Sequence, residues 1–108
     1  ILFKRISMKY SKLVRDKIPE IISKKGANPI THIADDKEYW QKLKEKLQEE
    51  VEEFMKNSSE EELADIVEVI NAISDFKKIG RQKLESIRKK KSEERGSFKN
   101  RIILDETG

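Results

Sequence analysis

Two consecutive stretches within residues 36–78 place apolar side chains at helical spacing, and this pattern limits the possible folds more than any other feature of the chain. The first stretch has one apolar stripe, formed by Trp40, Leu43, Leu47, Val51 and Phe54. The second has two stripes, one of Leu63, Val67, Ile70 and Ser74 flanked by Ile66 and Ile73, and another of Val69, Ala72 and Phe76. Recurrence at three and four residues is typical of amphipathic helices. A helix that is apolar on two sides is expected to be enclosed by neighbours, in a bundle or in an oligomer.

Capping residues predict where the helices begin and end. Pro19 suits the first turn of a short helix in residues 10–25, and Gly26 suits its end. Asp35 or Asp36 can cap the next helix, which is expected to run to about residue 56.

The third helix is expected to begin after "NSS", where Ser58 or Ser59 can cap it. Ser59 and Glu62 have the spacing of a capping box. This helix should reach about Lys78 and stop at Gly80. A fourth, strongly basic helix should then cover residues 81–95.

Two short apolar runs lie outside these helices, "ITHI" at 30–33 and "RIIL" at 101–104. Both are β-like, and we predict that they form short strands that can pair with each other. The predicted fold is all-α, with about four helices in a bundle and short extended segments at the N- and C-terminal sides. The length of 108 residues suits a single domain over 1–108, with 1–7 as an extension before Met8.

Composition excludes several classes of protein. Charged residues make up 42% and hydrophobic residues 35%, a balance that favours amphipathic helices over a sandwich or barrel. No apolar run approaches the roughly 20 residues of a membrane span, and no signal peptide is visible, so no membrane partner is expected. The absence of Cys excludes disulfides, thiolate catalysis and Cys-based zinc sites, and it is compatible with a cytoplasmic location.

Charge is strongly segregated along the chain although the net charge is only +3. Residues 45–68 contain ten carboxylates and two lysines, a formal charge of −8. Residues 1–25 carry +6, and residues 77–101 carry +8. An acidic centre of this kind repels nucleic acid, which argues against nucleic acid as the partner.

Several of these carboxylates fall beside apolar stripes. Helical geometry places Glu50 and Glu53 on the flank of the second helix's apolar stripe. It places Glu62 and Asp65 on the N-terminal continuation of the stripe that contains Val69. Carboxylates that crowd into a partly buried space are costly unless a cation neutralises them. Mg²⁺ or Mn²⁺ takes oxygen ligands, and two i,i+3 pairs on antiparallel helices converge on one point. We therefore predict a four-carboxylate metal site, with Glu49 as a fifth candidate.

The motif "EEVEE" at 49–53 followed by "ELAD" at 62–65 resembles the EExxE…ExxD pattern of the all-α NTP pyrophosphatase superfamily. This superfamily includes the MazG proteins, the dimeric dUTPases and phosphoribosyl-ATP pyrophosphohydrolase. The flanks "KLVRDKIPEII" at 12–22 and "KKKSEERGSFKNRIIL" at 89–104 are similar to those of a MazG-related branch. The one departure is Ser97, where a second Gly is expected.

The resemblance implies a helical bundle assembled as a homodimer or homotetramer, for which we expect helix contacts near Ile66, Val69, Ile70 and Ile73. It also implies Mg²⁺-dependent hydrolysis of a nucleoside triphosphate between the α and β phosphates, giving a monophosphate and pyrophosphate, with removal of non-standard nucleotides as the biological role. The family's metal ligands correspond to Glu50, Glu53, Glu62 and Asp65, with Glu49 as the remaining motif position. Glu50 or Glu53 is the candidate base that holds or deprotonates the attacking water.

Basic and polar side chains are the candidates for substrate binding, because the substrate is a polyanion. They are Lys12, Arg15, Lys17, Lys91 and Arg95, with Arg15 and Arg95 favoured because each lies in a family-like motif. Asn71 is a candidate contact to the base or sugar. His32, the single His, is expected to be structural, and Trp40 and Phe54 are expected to pack in the core.

Two alternatives stay open at this point. The chain could be a true phosphoribosyl-ATP pyrophosphohydrolase, although its N-terminal flank favours the stand-alone MazG-like branch. It could instead be a non-enzymatic helical module that binds acidic partners or nucleic acid through residues 77–101. A P-loop NTPase is excluded because the chain has no GxxxxGK sequence.

Overall fold

The structure, a computed structural model of the chain, describes residues 10–108. In that range the chain is all-helical, with four helices in the order α1 (Ile18–Lys24), α2 (Asp36–Lys56), α3 (Glu60–Phe76) and α4 (Arg81–Arg95). The predicted all-α class and helix number are therefore confirmed. The predicted extension over 1–7 lies outside the described residues.

Local chemistry explains where the first two helices begin and end. Pro19 occupies the first turn of α1. Gly26, with φ of 91°, follows α1, and its amide donates to the Ser23 carbonyl, as expected for a helix terminator. Asp35 caps α2, because its carboxylate accepts a hydrogen bond of 2.8 Å from the Glu38 amide.

The third helix begins as predicted but ends earlier. Ser59 is the cap, since its hydroxyl accepts a hydrogen bond of 3.2 Å from the Glu62 amide. Helix α3 ends at Phe76, and the Ile79 amide donates back to the Ser74 carbonyl across a turn in which Lys78 has φ of 56°. The prediction that Gly80 stops α3 is wrong by one turn, because Gly80, with φ of 80°, caps the start of α4 instead.

The predicted strands are wrong, because no strand is present among residues 10–108. Residues 30–33 and 101–104 are extended or irregular segments. Ile30, Ile33, Ile102, Ile103 and Leu104 are all strongly exposed. A short segment needs both a hydrogen-bonding neighbour and a buried face to persist as a strand. β-branched composition alone does not supply these.

Two compact units divide the chain, Ile1–Ile73 and Ser74–Gly108, with the boundary near the end of α3. The first unit contains α1, α2 and most of α3. The second contains α4 and the C-terminal segment, in which Phe98 is 98% exposed. The single-domain prediction stays a prediction. No helix in the described part of the chain is long and apolar enough to cross a membrane.

The core of the first unit is small and includes a charge. Leu43 on α2 is 1% exposed, Val69 on α3 is buried, and Glu50 is only 8% exposed. Val51, which the stripe placed in the core, is instead 41% exposed. The buried side of α2 is thus rotated toward Glu50.

Helix α3 buries the side with Ile66, Val69 and Ile73, which are buried or half-buried. Leu63, Val67 and Ile70 are exposed in the single chain, although Ser74 of the same predicted stripe is buried. The α2 side chains Val51 and Met55 are exposed as well. We call these five exposed residues the apolar face.

Candidate metal centre

Three carboxylates from two helices meet in the first unit. Glu50 comes from α2, and Glu62 and Asp65 come from the first turns of α3. One oxygen of each lies within 4.8 Å of the others. We call these three residues the carboxylate triad. The i,i+3 spacing sets Glu62 and Asp65 on one side of α3, and the short connection at 57–59 brings that side toward α2.

Helix capping helps to place the triad. Because Ser59 caps α3, Glu62 falls in the first turn, where the positive end of the helix dipole favours a carboxylate. Asp65 follows one turn later and is half-buried. The local sequence "SSEEELAD" therefore determines both where the helix starts and which way these two carboxylates point.

Lys46 neutralises part of the charge from within α2. Its ammonium lies 3.3 Å from Glu50 Oε1 and 3.5 Å from Glu49 Oε2. All three side chains are shielded to some extent, and the Lys46 side chain is 17% exposed. Sequence reasoning did not include Lys46 among the site residues. Its spacing of i,i+3 and i,i+4 to the two glutamates is the signal that could have identified it.

Two further cations come from the segment before α1. Arg15 donates from its guanidinium to Asp65 Oδ1 at 2.7 Å, and Lys12 donates to Glu49 Oε1 at 3.3 Å. A turn in which the Ile18 amide donates to the Arg15 carbonyl fixes the backbone next to Arg15. Both residues were predicted as phosphate ligands, and the structure gives them carboxylate partners that the sequence did not indicate.

Glu62 is the triad member for which the described residues provide no cation. Among residues 10–108, Glu50 and Asp65 each have a Lys or Arg in ion-pair contact, whereas Glu62 has none. Burial raises the pKa of Glu62, and the negative charges of Asp65, Glu50, Glu53 and Glu61 raise it further. The repulsion that the sequence predicted is therefore concentrated on this one carboxylate.

The other predicted carboxylates lie next to the triad but outside it. Glu49 is held by Lys12 and Lys46. Glu53 is exposed and belongs to no such cluster, yet it is near enough for its charge to raise the pKa of Glu62. The predicted set of five therefore divides into three converging oxygens and two neighbours.

The remaining predicted site residues are spread along the chain. Lys17 caps α1 and is exposed, and Asn71 is half-buried on α3, six residues after Asp65. Lys91 and Arg95 are exposed on α4, in the second unit. Their roles in substrate binding stay predictions. The Nε2 atom of His32 lies 2.9 Å from Glu38 Oε1, which agrees with the structural role expected for it.

The donor set fits a hard divalent cation. The triad offers only carboxylate oxygens, the ligands that Mg²⁺ and Mn²⁺ prefer, and no His or Cys that would favour zinc. Mg²⁺ commonly takes one or a few protein carboxylates and keeps waters at its other positions. A partly buried group of three carboxylates, one of them without a cationic partner in the described part of the chain, matches that requirement.

Comparison with known proteins adds one partial relative. No protein-family model matches the chain, and no solved structure matches it. The chain is similar to an uncharacterised protein of Mycolicibacterium smegmatis, with 49% identity over 44 residues. The match covers 41% of this chain and 45% of the relative. The matched region thus spans less than half the length of either protein.

Proposed function

We propose that this protein is a Mg²⁺-dependent nucleoside triphosphate pyrophosphohydrolase, which hydrolyses the bond between the α and β phosphates to give a monophosphate and pyrophosphate. The observation that carries the proposal is the convergence of Glu50, Glu62 and Asp65 from two helices. These residues come from the two motifs that resemble the all-α NTP pyrophosphatases. Mn²⁺ is the alternative metal.

Glu50, Glu62 and Asp65 are the residues that would hold the cation. When bound, a divalent cation neutralises part of the negative charge of the phosphates and lowers the pKa of a coordinated water. Glu62 supports this assignment because neighbouring carboxylates repel its negative charge. No Lys or Arg of the described chain forms an ion pair with it. Lys46 lies 3.3 Å from Glu50 Oε1 and orients that carboxylate from its own helix.

Glu53 is the better candidate for the general base. Glu50 is buried, belongs to the triad and forms an ion pair with Lys46, so its oxygens are less accessible to a proton from water. Glu53 is exposed and outside the triad but close to Glu62, which leaves its carboxylate free to accept a proton. In the proposed step the water oxygen bonds to phosphorus and its proton passes to Glu53. The attacked atom is the α phosphorus, and the electron pair of the broken α–β anhydride bond leaves with pyrophosphate.

Cations around the cluster would balance the charge of the triphosphate. Lys12 and Arg15 contact the carboxylates Glu49 and Asp65, and Lys17 follows in the same segment. Asn71 is proposed to contact the base or sugar, while the roles of Lys91 and Arg95, in the second unit, stay predictions from the sequence. The substrate class we propose is a non-standard nucleoside triphosphate.

A homodimer or homotetramer is the assembly we propose. The apolar face is the supporting observation, since five large apolar side chains on adjacent helices are exposed in the single chain. A contiguous exposed apolar patch commonly marks a protein interface, and we propose that these five side chains form one. Burial of this surface would also add to a core that is small within one chain.

The test is a screen for pyrophosphate release with Mg²⁺ or Mn²⁺, using standard and damaged nucleoside triphosphates and phosphoribosyl-ATP. A monophosphate and pyrophosphate in equal amounts are the expected products. Selective turnover of phosphoribosyl-ATP would favour the alternative enzyme, and release of inorganic phosphate with a diphosphate would show that the wrong bond was assigned.

A matched pair of variants tests the site itself. Glu53→Gln should lower kcat by roughly 10²- to 10⁴-fold, the range typical of a lost general base. Glu52→Gln is the control, because Glu52 is the exposed neighbour whose carboxylate accepts from Gln48 on the outer side of α2. Equal activity of both variants would remove Glu53 from the mechanism.

A further inference from the structure

Two of the cations at the carboxylate cluster belong to one short segment of the chain. Residues 10–17 have no helix or strand, and within them Lys12 contacts Glu49 while Arg15 contacts Asp65. The contacts span 37 and 50 residues of sequence. We call residues 10–17 the latch segment.

We infer that Lys12 and Arg15 are exchangeable place-holding cations, which occupy the carboxylate cluster when no divalent cation is bound and leave it when one binds. The inference rests on the metal site of the proposed function, but not on the reaction catalysed there. In this interpretation the latch segment competes with the metal ion for the carboxylates. A supporting segment would instead hold the carboxylates in place for the metal.

The count of charges supports the exchange. Within residues 10–108, three cations form ion pairs with the five motif carboxylates, so two negative charges remain in excess; the carboxylates are Glu49, Glu50, Glu53, Glu62 and Asp65, and the cations are Lys12, Arg15 and Lys46. Without Lys12 and Arg15 the excess rises to four. The latch segment therefore halves the negative charge available to a divalent cation.

Burial distinguishes the cations that can leave from the one that stays. The Arg15 and Lys12 side chains are 55% and 44% exposed, whereas Lys46 is 17% exposed and lies on the same helix as its partners. Exposed ion pairs contribute little to stability, because water and salt screen them. Breaking the Lys12 and Arg15 ion pairs therefore costs little free energy. Lys46 stays in place because it lies on the same helix as its partners.

Release would also place the two cations where an anion can use them. Arg15 has a planar guanidinium that forms paired hydrogen bonds with phosphate as readily as with a carboxylate. Once Asp65 holds a metal ion, the released guanidinium would be available to a phosphate bound at the site. The same side chains would thus serve as counter-ions of the empty site and as phosphate ligands of the loaded one.

Calorimetric titration with Mg²⁺ in the absence of nucleotide tests the exchange. Arg15→Gln should bind Mg²⁺ roughly three- to tenfold more tightly than the wild type, because a repelling charge is removed from a partly exposed site. Lys25→Gln is the control, since Lys25 is an exposed residue just after α1 whose loss changes the net charge equally. If Arg15 instead supports Asp65 as a ligand, the variant will bind Mg²⁺ more weakly, and the inference is overturned.

A second measurement follows Arg15 directly. The NMR signal of the Arg15 Nε–H group, assigned by its loss in Arg15→Gln, should shift toward the exposed arginines as Mg²⁺ is added and saturate with the calorimetric Kd. An unchanged signal during proven Mg²⁺ binding overturns the inference, as does absence of Mg²⁺ binding by both proteins. Tighter binding by Arg15→Gln without any nucleotide hydrolysis would reject the proposed activity and leave the exchange intact.

Discussion

The Arg15 guanidinium lies 2.7 Å from the Asp65 carboxylate, although fifty residues of chain separate them. This contact joins the irregular segment before α1 to the first turns of α3. It means that Asp65 carries two opposing influences, attraction to Arg15 and repulsion from Glu50 and Glu62. Substitution of Asp65 should reveal the balance between them.

Asp65→Asn should abolish the Mg²⁺-dependent gain in thermal stability while changing the metal-free protein little. Loss of an exposed ion pair and relief of carboxylate repulsion act in opposite directions, so the free energy of unfolding in chelator should change by less than about 1 kcal/mol. In millimolar Mg²⁺ the wild type should melt at a higher temperature by linkage, and the variant much less so. Thermal melts of both proteins in chelator and in Mg²⁺ provide the comparison. An equal Mg²⁺ shift in the variant would show that Asp65 is not a ligand.

Glu62→Gln should stabilise the metal-free protein at neutral pH. The raised pKa of Glu62 means that the folded state favours the protonated carboxyl, so wild-type stability is lost as pH rises from the ordinary value of 4.5 through the folded pKa. The variant lacks this loss. Its melting temperature in chelator should exceed that of the wild type at pH 7, and the difference should vanish below pH 4.5.

The control for this pH profile is Glu68→Gln, on the exposed side of α3. Its difference from the wild type should be small and should not follow the same pH window. A Glu62→Gln difference that persists at low pH would mean that packing, rather than charge, explains it.

Val67→Glu should dissociate the proposed oligomer. Val67 is 54% exposed at the middle of the apolar face, where a buried charge in an interface would be costly. Light scattering at micromolar concentration should report a dimer or tetramer for the wild type and a monomer for the variant. Ile87→Glu on α4 is the control, because Ile87 is also exposed but lies outside the apolar face. A monomeric wild type would reject the proposed assembly.

Ser74→Ala should raise stability by about 1 kcal/mol. The Ser74 hydroxyl is buried and has no hydrogen-bond partner among residues 10–108, so its removal ends a desolvation cost, and Ala is also the better helix former. Ser86→Ala, at an exposed position within α4, measures the helix-propensity gain alone. Chemical denaturation should give a larger gain for Ser74. If Ser74→Ala is instead destabilising, the hydroxyl has a partner in solution, such as water or a second copy of the chain.

Features that depend on neighbouring residues were predictable. Asp35 and Ser59 cap helices as expected, and the i,i+3 pair Glu62 and Asp65 shares one side of α3. Such features follow from local hydrogen bonds and helical geometry, which act within a few residues. The start of α4 was placed correctly. Gly80 was predicted to end α3 but caps the start of α4, because a glycine suits either helix terminus.

Which side of each helix is buried required the tertiary structure. The sequence by itself determined four helices, their approximate ends and the carboxylate pairs at helical spacing. Packing decided that Glu50 rather than Val51 turns inward, because Lys46 can neutralise it there. Packing also brought Lys12 to Glu49 and Arg15 to Asp65, pairs too distant in sequence for any local pattern to record. Ion pairs across such distances exist only after the chain has folded back on itself, so the identity of each carboxylate's partner is a property of the fold.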